Sequence, residues 1–162
     1  MPLHPFHLAI PVNNLESALT FYHEKLGCPL GRSSDQWIDF DFFGHQLVAH
    51  LAPEEMNKEE KANNRHNSVD GDEVPVRHFG MVLDWETWKQ LQARLKKLRI
   101  HFFLEPKIRF EGDMGEQGTF FIKDPSGNAL EFKAFKNQDQ FCLLYTSPSP
   151  RDQRGSRMPS SA

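Results

Sequence analysis

The chain has 162 residues, 38% of them hydrophobic and 25% charged, with a formal net charge of −3. That length supports one compact domain with a sizeable core, and the slightly negative balance gives no basis for nucleic-acid or acidic-membrane partners. No apolar run reaches transmembrane length, Met1 to Pro5 shows no signal-peptide pattern, and the cysteines, Cys28 and Cys142, argue against a disulfide framework and suit a reducing, cytoplasmic setting.

Phe6–Val12 alternates, with Phe6, Leu8, Ile10 and Val12 on one face and His7 and Ala9 on the other, as in a strand with one buried side. Asn13 with Glu16 three residues on predicts a capping box, and Leu15, Ala18, Leu19, Tyr22 and Leu26 follow at helical spacing up to Gly27. Cys28–Arg32 is a weak strand. Gln36–Phe42 and Gln46–Leu51 are stronger ones, joined by the turn Phe43-Gly44-His45. Pro53–Pro75 reads as a long charged connection, with a short solvated helix at Glu54–Lys61.

Val76–Leu83 repeats the logic of the first strand, with His78 and Gly80 opposite the apolar residues. Asp84 is the N-cap of a helix carrying Trp88, Leu91, Leu95 and Leu98. Ile100–Leu104 and Lys107–Glu111 read as short strands split by Pro106. Thr119–Ile122 and Ala129–Phe135 then flank Asp124-Pro125-Ser126-Gly127-Asn128, a hairpin turn. Glu131 is out of place there, a carboxylate between Leu130 and Phe132 that needs a partner if buried.

The order β-α-β-β-β occurs twice, and this internal repeat is the strongest signal in the chain. Aligned on the turns, Asp41 matches Asp124, Gly44 matches Gly127, Leu47 matches Leu130 and Val48 matches Glu131. The expected fold is α+β: two βαβββ modules pairing into a curved, half-open mixed sheet with helices outside. The domain spans 4–140, with a first module at 4–52, a connection at 53–75 and a second module at 76–140. Residues 142–162, rich in Ser, Pro and Arg, resemble an in-frame translation of a transposase-type sequencing adapter and are expected to carry no function.

His7 and His78 fall at equivalent positions on the first strands of the modules, and Glu131 lies on the last strand with non-core parity. If the modules lie side by side, two imidazoles and a carboxylate converge as a facial set for a divalent metal, with open positions left over. Such N/O ligands suit Fe(II), Mn, Ni or Zn better than Ca. A strand histidine taken alone is equally well a hydrogen-bonded packing or surface residue. His50, on the face of Val48, reads as a fourth ligand, a proton-transfer or substrate-contacting group, or a surface residue. Asp39 and Asp41 read as solvated carboxylates, His23, His45, His66 and His101 as surface or packing residues, and Cys28 as a buried structural thiol. There is no phosphate-binding glycine loop and no G-x-S-x-G elbow.

The stretches HLAIPVNNLESALTFYHEKLGC, RHFGMVLDWETW and GTFFIKDPSGNALEFKAF resemble the vicinal oxygen chelate superfamily, which includes glyoxalase I, bleomycin- and fosfomycin-resistance proteins and extradiol dioxygenases. The resemblance covers about residues 4 to 140. GRSSDQWIDFDFFGHQLVAHL and VDGDEVPVRHFG are most similar to small, single-domain predicted dioxygenases. It implies paired βαβββ modules and a divalent metal, Fe(II) first, with ligands falling on His7, His78 and Glu131. The glyoxalase I fourth ligand falls on Val48, which cannot ligate, and this moves the expectation toward three-ligand members. The implied activity is extradiol cleavage of a vicinal-dioxygen substrate such as a catechol, and His50, from its strand parity, is the candidate for proton transfer. A glyoxalase-type isomerase or thiol transferase, and a metal-free sequestering protein, are the alternatives. The expected partner is a small molecule, with a homodimer as one way to complete the site.

Overall fold

The computed structural model describes residues 4–55, 66–69, 71–113 and 115–137. The adapter-like stretch 142–162 and most of the expected helix at Glu54–Lys61 lie outside the described residues, although residues 53–55 are helical.

The first module comprises β1 (His7–Val12), α1 (Leu15–Leu19), β2 (Leu30–Ser33), β3 (Trp37–Phe42) and β4 (His45–Leu51). A hairpin of β5 (His66–Val69) and β6 (Asp72–Pro75) follows. The second module comprises β7 (Phe79–Leu83), α2 (Trp85–Lys97), β8 (Phe102–Arg109), β9 (Gln117–Lys123) and β10 (Ala129–Phe135). Each module folds into its own four-stranded mixed sheet, in the orders β1-β4-β3-β2 and β7-β10-β9-β8. The first strand of each is parallel to the last, and the other pairs are antiparallel. The α+β architecture is the one expected, and the registers support the repeat alignment. Leu8 pairs with Leu47 as Phe79 pairs with Leu130, so Val48 and Glu131 occupy equivalent sites.

Several local readings change. Asn14, not Asn13, caps α1: its side chain accepts the Ser17 N–H at 2.8 Å, while the Asn13 N–H donates to Ser126 Oγ. After Leu19 the helix widens into a π-helical segment, Thr20–Lys25, a rare form that the apolar spacing does not reveal. Gly27 ends the helix at φ +84°, a left-handed position that suits glycine. β8 is continuous through Pro106 instead of two strands, because it lies at the sheet edge and absorbs the proline in register shifts. The β5–β6 hairpin was hidden in the charged connection, because four-residue polar strands carry almost no apolar alternation. Asp84 caps α2 as expected, accepting the Thr87 N–H.

Both sheets turn their apolar faces to the helices, and the core is shared between modules. Tyr22, Phe40, Phe42, Leu47, Trp88, Phe120, Leu130 and Phe132 belong to one buried cluster. Phe42 meets Phe79 and Phe132 with ring centres 5.7 and 6.2 Å apart. Polar contacts lock this junction. The Tyr22 hydroxyl donates to Asp124 Oδ2 at 2.9 Å, Asn128 Nδ2 donates to the Pro11 carbonyl at 2.9 Å, and Arg94 Nη2 donates to the Glu24 carbonyl at 2.7 Å. Among the described residues no helix is long and apolar enough to cross a membrane.

Tyr22→Phe leaves one lone pair of a buried carboxylate unsatisfied, so it should cost about 1–2 kcal/mol, read as a lowered denaturant midpoint at unchanged slope. Gly80 lies opposite Glu131 in the parallel register, where an added Cβ would land on the Glu131 carbonyl oxygen. Gly80→Ala should therefore force β7 away from β10 and cost at least about 2–3 kcal/mol, measured by thermal unfolding.

Candidate metal centre

Alternation along β10 buries Leu130, Phe132 and Ala134 and turns Glu131 and Lys133 to the opposite face. The antiparallel register places Phe121 beside Glu131 and Thr119 beside Lys133. His78 reaches the same face from the turn before β7, and its ring lies edge-on to Phe121 at 5.3 Å. The fold brings His78 and Glu131 together, with Nε2 and Oε2 3.3 Å apart.

The pair is held in a defined state. His78 Nδ1–H donates to the Pro75 carbonyl at 2.7 Å, which leaves Nε2 directed at the carboxylate. Thr119 Oγ1 donates to Glu131 Oε1 at 2.8 Å, and Lys133 Nζ stands 3.3 Å from the same oxygen. The hydrogen bond to Glu131, reinforced by that to Pro75, raises the His78 pKa above the ordinary histidine range, against the opposing effect of burial. Burial pushes the Glu131 pKa up, but the bonds from His78, Thr119 and Lys133 outweigh it and hold the carboxyl below its usual range.

His7 lies elsewhere. It is exposed on the open face of the first sheet, where its Nδ1–H donates to Gln46 Oε1 at 2.8 Å. Gln46 Nε2 contacts Asp39 Oδ2 at 3.4 Å, and Arg32 Nε stands 3.6 Å from that oxygen. Asp39, expected to be solvated, is only 7% exposed. Asp41 is exposed and closes the β3–β4 turn by accepting the Gly44 N–H. His50 is exposed on β4, one pleat beyond the buried Val48 and at the position equivalent to Lys133. Cys28 is buried, and burial pushes its thiol up to about 12, which suits a structural role.

Among the described residues no group of three His, Cys, Asp or Glu side chains is placed to hold one ion within the chain. The His78–Glu131 pair itself fits a cation. Neighbouring ligands on one first-row ion stand roughly 3 Å apart, close to the observed separation, and each candidate histidine spends Nδ1 on a protein acceptor. Lys133, Thr119 and Gln46 are the residues missed from the sequence. The shared parity of Lys133 and Glu131 on β10 was the available signal for the first of them.

The pKa directions fix the pH behaviour of metal-stripped protein. With a raised folded pKa, His78 contributes stability that is present at acid pH and lost as pH rises through that value. With a lowered pKa, Glu131 contributes stability that is lost as pH falls through its value. The pair therefore stabilises most between the two. NMR titration should show His78 titrating above ordinary histidine, and Glu131→Gln should return it toward the ordinary range.

The family model described as Glyoxalase/Bleomycin resistance protein/Dioxygenase superfamily matches residues 4–132. No curated protein matches the chain. Among solved structures, a glyoxalase/bleomycin resistance protein/dioxygenase from Alicyclobacillus acidocaldarius is 37% identical, with a TM-score of 0.66 over 85% of this chain and 95% of that one. A lactoylglutathione lyase from Agrobacterium tumefaciens (18% identity, TM-score 0.55, 82% and 94% covered) shares the fold. So does a fosfomycin resistance protein from Listeria monocytogenes (14% identity, TM-score 0.58, 86% and 99% covered). With its repeated βαβββ sheets and a family match over most of its length, the chain belongs to the glyoxalase/bleomycin resistance/dioxygenase superfamily, the vicinal oxygen chelate proteins.

Proposed function

We propose that the protein is a metal-dependent dioxygenase acting on a vicinal-dioxygen substrate such as a catechol, with His7, His78 and Glu131 as the ligands of a divalent cation, Fe(II) first and Mn, Ni or Zn next. The observation that carries this reading is the His78–Glu131 pair, with Nε2 and Oε2 3.3 Å apart and Nδ1 already committed to Pro75. His7 is prepared in the same way by Gln46. Val48, buried where a fourth ligand would stand, favours three-ligand chemistry over the glyoxalase type.

A second copy of the chain supplies the missing proximity. Among the described residues β1 and β7 are edge strands of their sheets, each with a strand partner on one side of its backbone. Joining β1 of one protomer to β7 of another would bring His7 toward the His78–Glu131 pair. Such a homodimer would build each site from two unlike sheets.

The bound cation would supply Lewis-acid binding of adjacent substrate oxygens and a path for electrons to O2. The chain's own residues do the rest. Pro75 and Gln46 hold the histidine tautomers, Thr119 fixes the Glu131 carboxylate, and Phe121 and Val48 form an apolar wall that limits water. His50, on the same face as Val48, accepts the proton released when a substrate hydroxyl ionises.

Glu131→Ala should lose metal while remaining folded, and so should His7→Ala. Mixing and refolding the two variants should restore one intact site per mixed dimer, read by elemental analysis and by O2 uptake with catechol. No metal bound by the wild type would overturn the scheme. Metal without O2 uptake would remove the dioxygenase step, and no restoration in the mixture would remove the shared site.

A further inference from the structure

We infer that the substrate carries an acidic group, received by Lys133, one pleat away from the oxygens held at the candidate metal centre. This rests on the reading of His78 and Glu131 as metal ligands. The register lays out two rows of side chains across the open face of the second sheet. Leu104, Phe121, Glu131 and Gly80 form one; Lys107, Thr119, Lys133 and Val82 form the next. The rows are two residues apart along the strands, roughly 7 Å.

The cations on this face have different partners. Lys107 and Arg109 both reach Asp72 of the β5–β6 hairpin. Lys133 has Glu131, at 3.3 Å from Oε1. A cation on Glu131 competes for that carboxylate and repels the ammonium beside it. Lys133 then needs another anion, and its side chain is 38% exposed against 12% for Glu131, so the ammonium can swing along the open face. Lys133 would receive an anion there, with Val82, 43% exposed, as apolar surface beside it. An aromatic ring with two adjacent oxygens at one end and a carboxylate at the other spans the distance between the rows. A charge-assisted hydrogen bond to that carboxylate is strong enough to govern substrate choice.

The test is calorimetric binding of 3,4-dihydroxybenzoate and of catechol to Mn(II)-loaded protein without O2. Wild type should bind the acid at least about tenfold more tightly, the smaller end of what a hydrogen bond between charged groups contributes. Lys133→Met should bind both probes alike, and Lys133→Arg should keep the preference. Lys133→Met should also bind Mn(II) alone more tightly, because no ammonium competes for Glu131. Equal affinities in the wild type, or a preference that survives in Lys133→Met, would overturn the inference while leaving chelation standing. Failure of both probes to bind Mn(II)-loaded wild type would overturn the chelation reading and the inference together. Loss of Mn(II) binding in Lys133→Met would assign Lys133 to support of Glu131 instead of to substrate.

Discussion

The buried carboxylate of Asp124 organises this protein. Its Oδ1 accepts the backbone N–H groups of Ser126 and Asn128, and its Oδ2 accepts the Tyr22 hydroxyl and Asn128 Nδ2. Four donors on one carboxylate satisfy a group that would otherwise be very costly to bury. Burial raises its pKa even so, and burial beside it pushes the Tyr22 phenol well above the ordinary value. Three of these donors shape the β9–β10 turn, and the fourth comes from the helix of the other module. Asn128 and Ser126 also bond to Pro11 and Asn13, at the end of β1. One turn therefore sets the start of the strand that carries Glu131 and ties it to the strand that carries His7.

The repeat was legible because strand alternation and turn chemistry were strong in both modules. What stayed hidden had weak or ambiguous local signals. The π-helical segment keeps apolar residues where an α-helix would also place them, so Tyr22 showed as core but not as the partner of Asp124. Pro106 reads as a break unless the strand is known to be an edge. Asp39, flanked by Ile38 and Phe40, has solvent-facing parity, yet Gln46 and Arg32 enclose it.

For the candidate centre, parity located Glu131 and His78 on one face, since a carboxylate in an apolar strand asks for a partner, and His78 reaches it from just before β7 while the register sets Gly80 and Phe121 beside it. Parity says nothing about the angle between two sheets, so the separation of His7 from that pair was not readable. Lys133 was overlooked for a related reason. A lysine on the outer face of a strand looks solvated, and only the neighbouring carboxylate gives it a place in a site. The two histidines share one device in different forms: a carbonyl oxygen, from Pro75 in one sheet and from the Gln46 side chain in the other, fixes which ring nitrogen faces outward.

The register shifts in β2 and β8 bear on the character of the sheet edges. Both strands lie at the outer edges of their sheets, where irregular pairing, Arg32 in one and Pro106 with Lys107 in the other, makes a poor template for another strand. β1 and β7, at the opposite edges, pair without a shift. Each sheet thus has one margin with shifted pairing and one with regular pairing, and the regularly paired ones border the candidate histidines. On β1 the margin is also interrupted, because Pro11 has no N–H to offer and its carbonyl already accepts Asn128 Nδ2, so the end of this edge is committed to the turn of the second module.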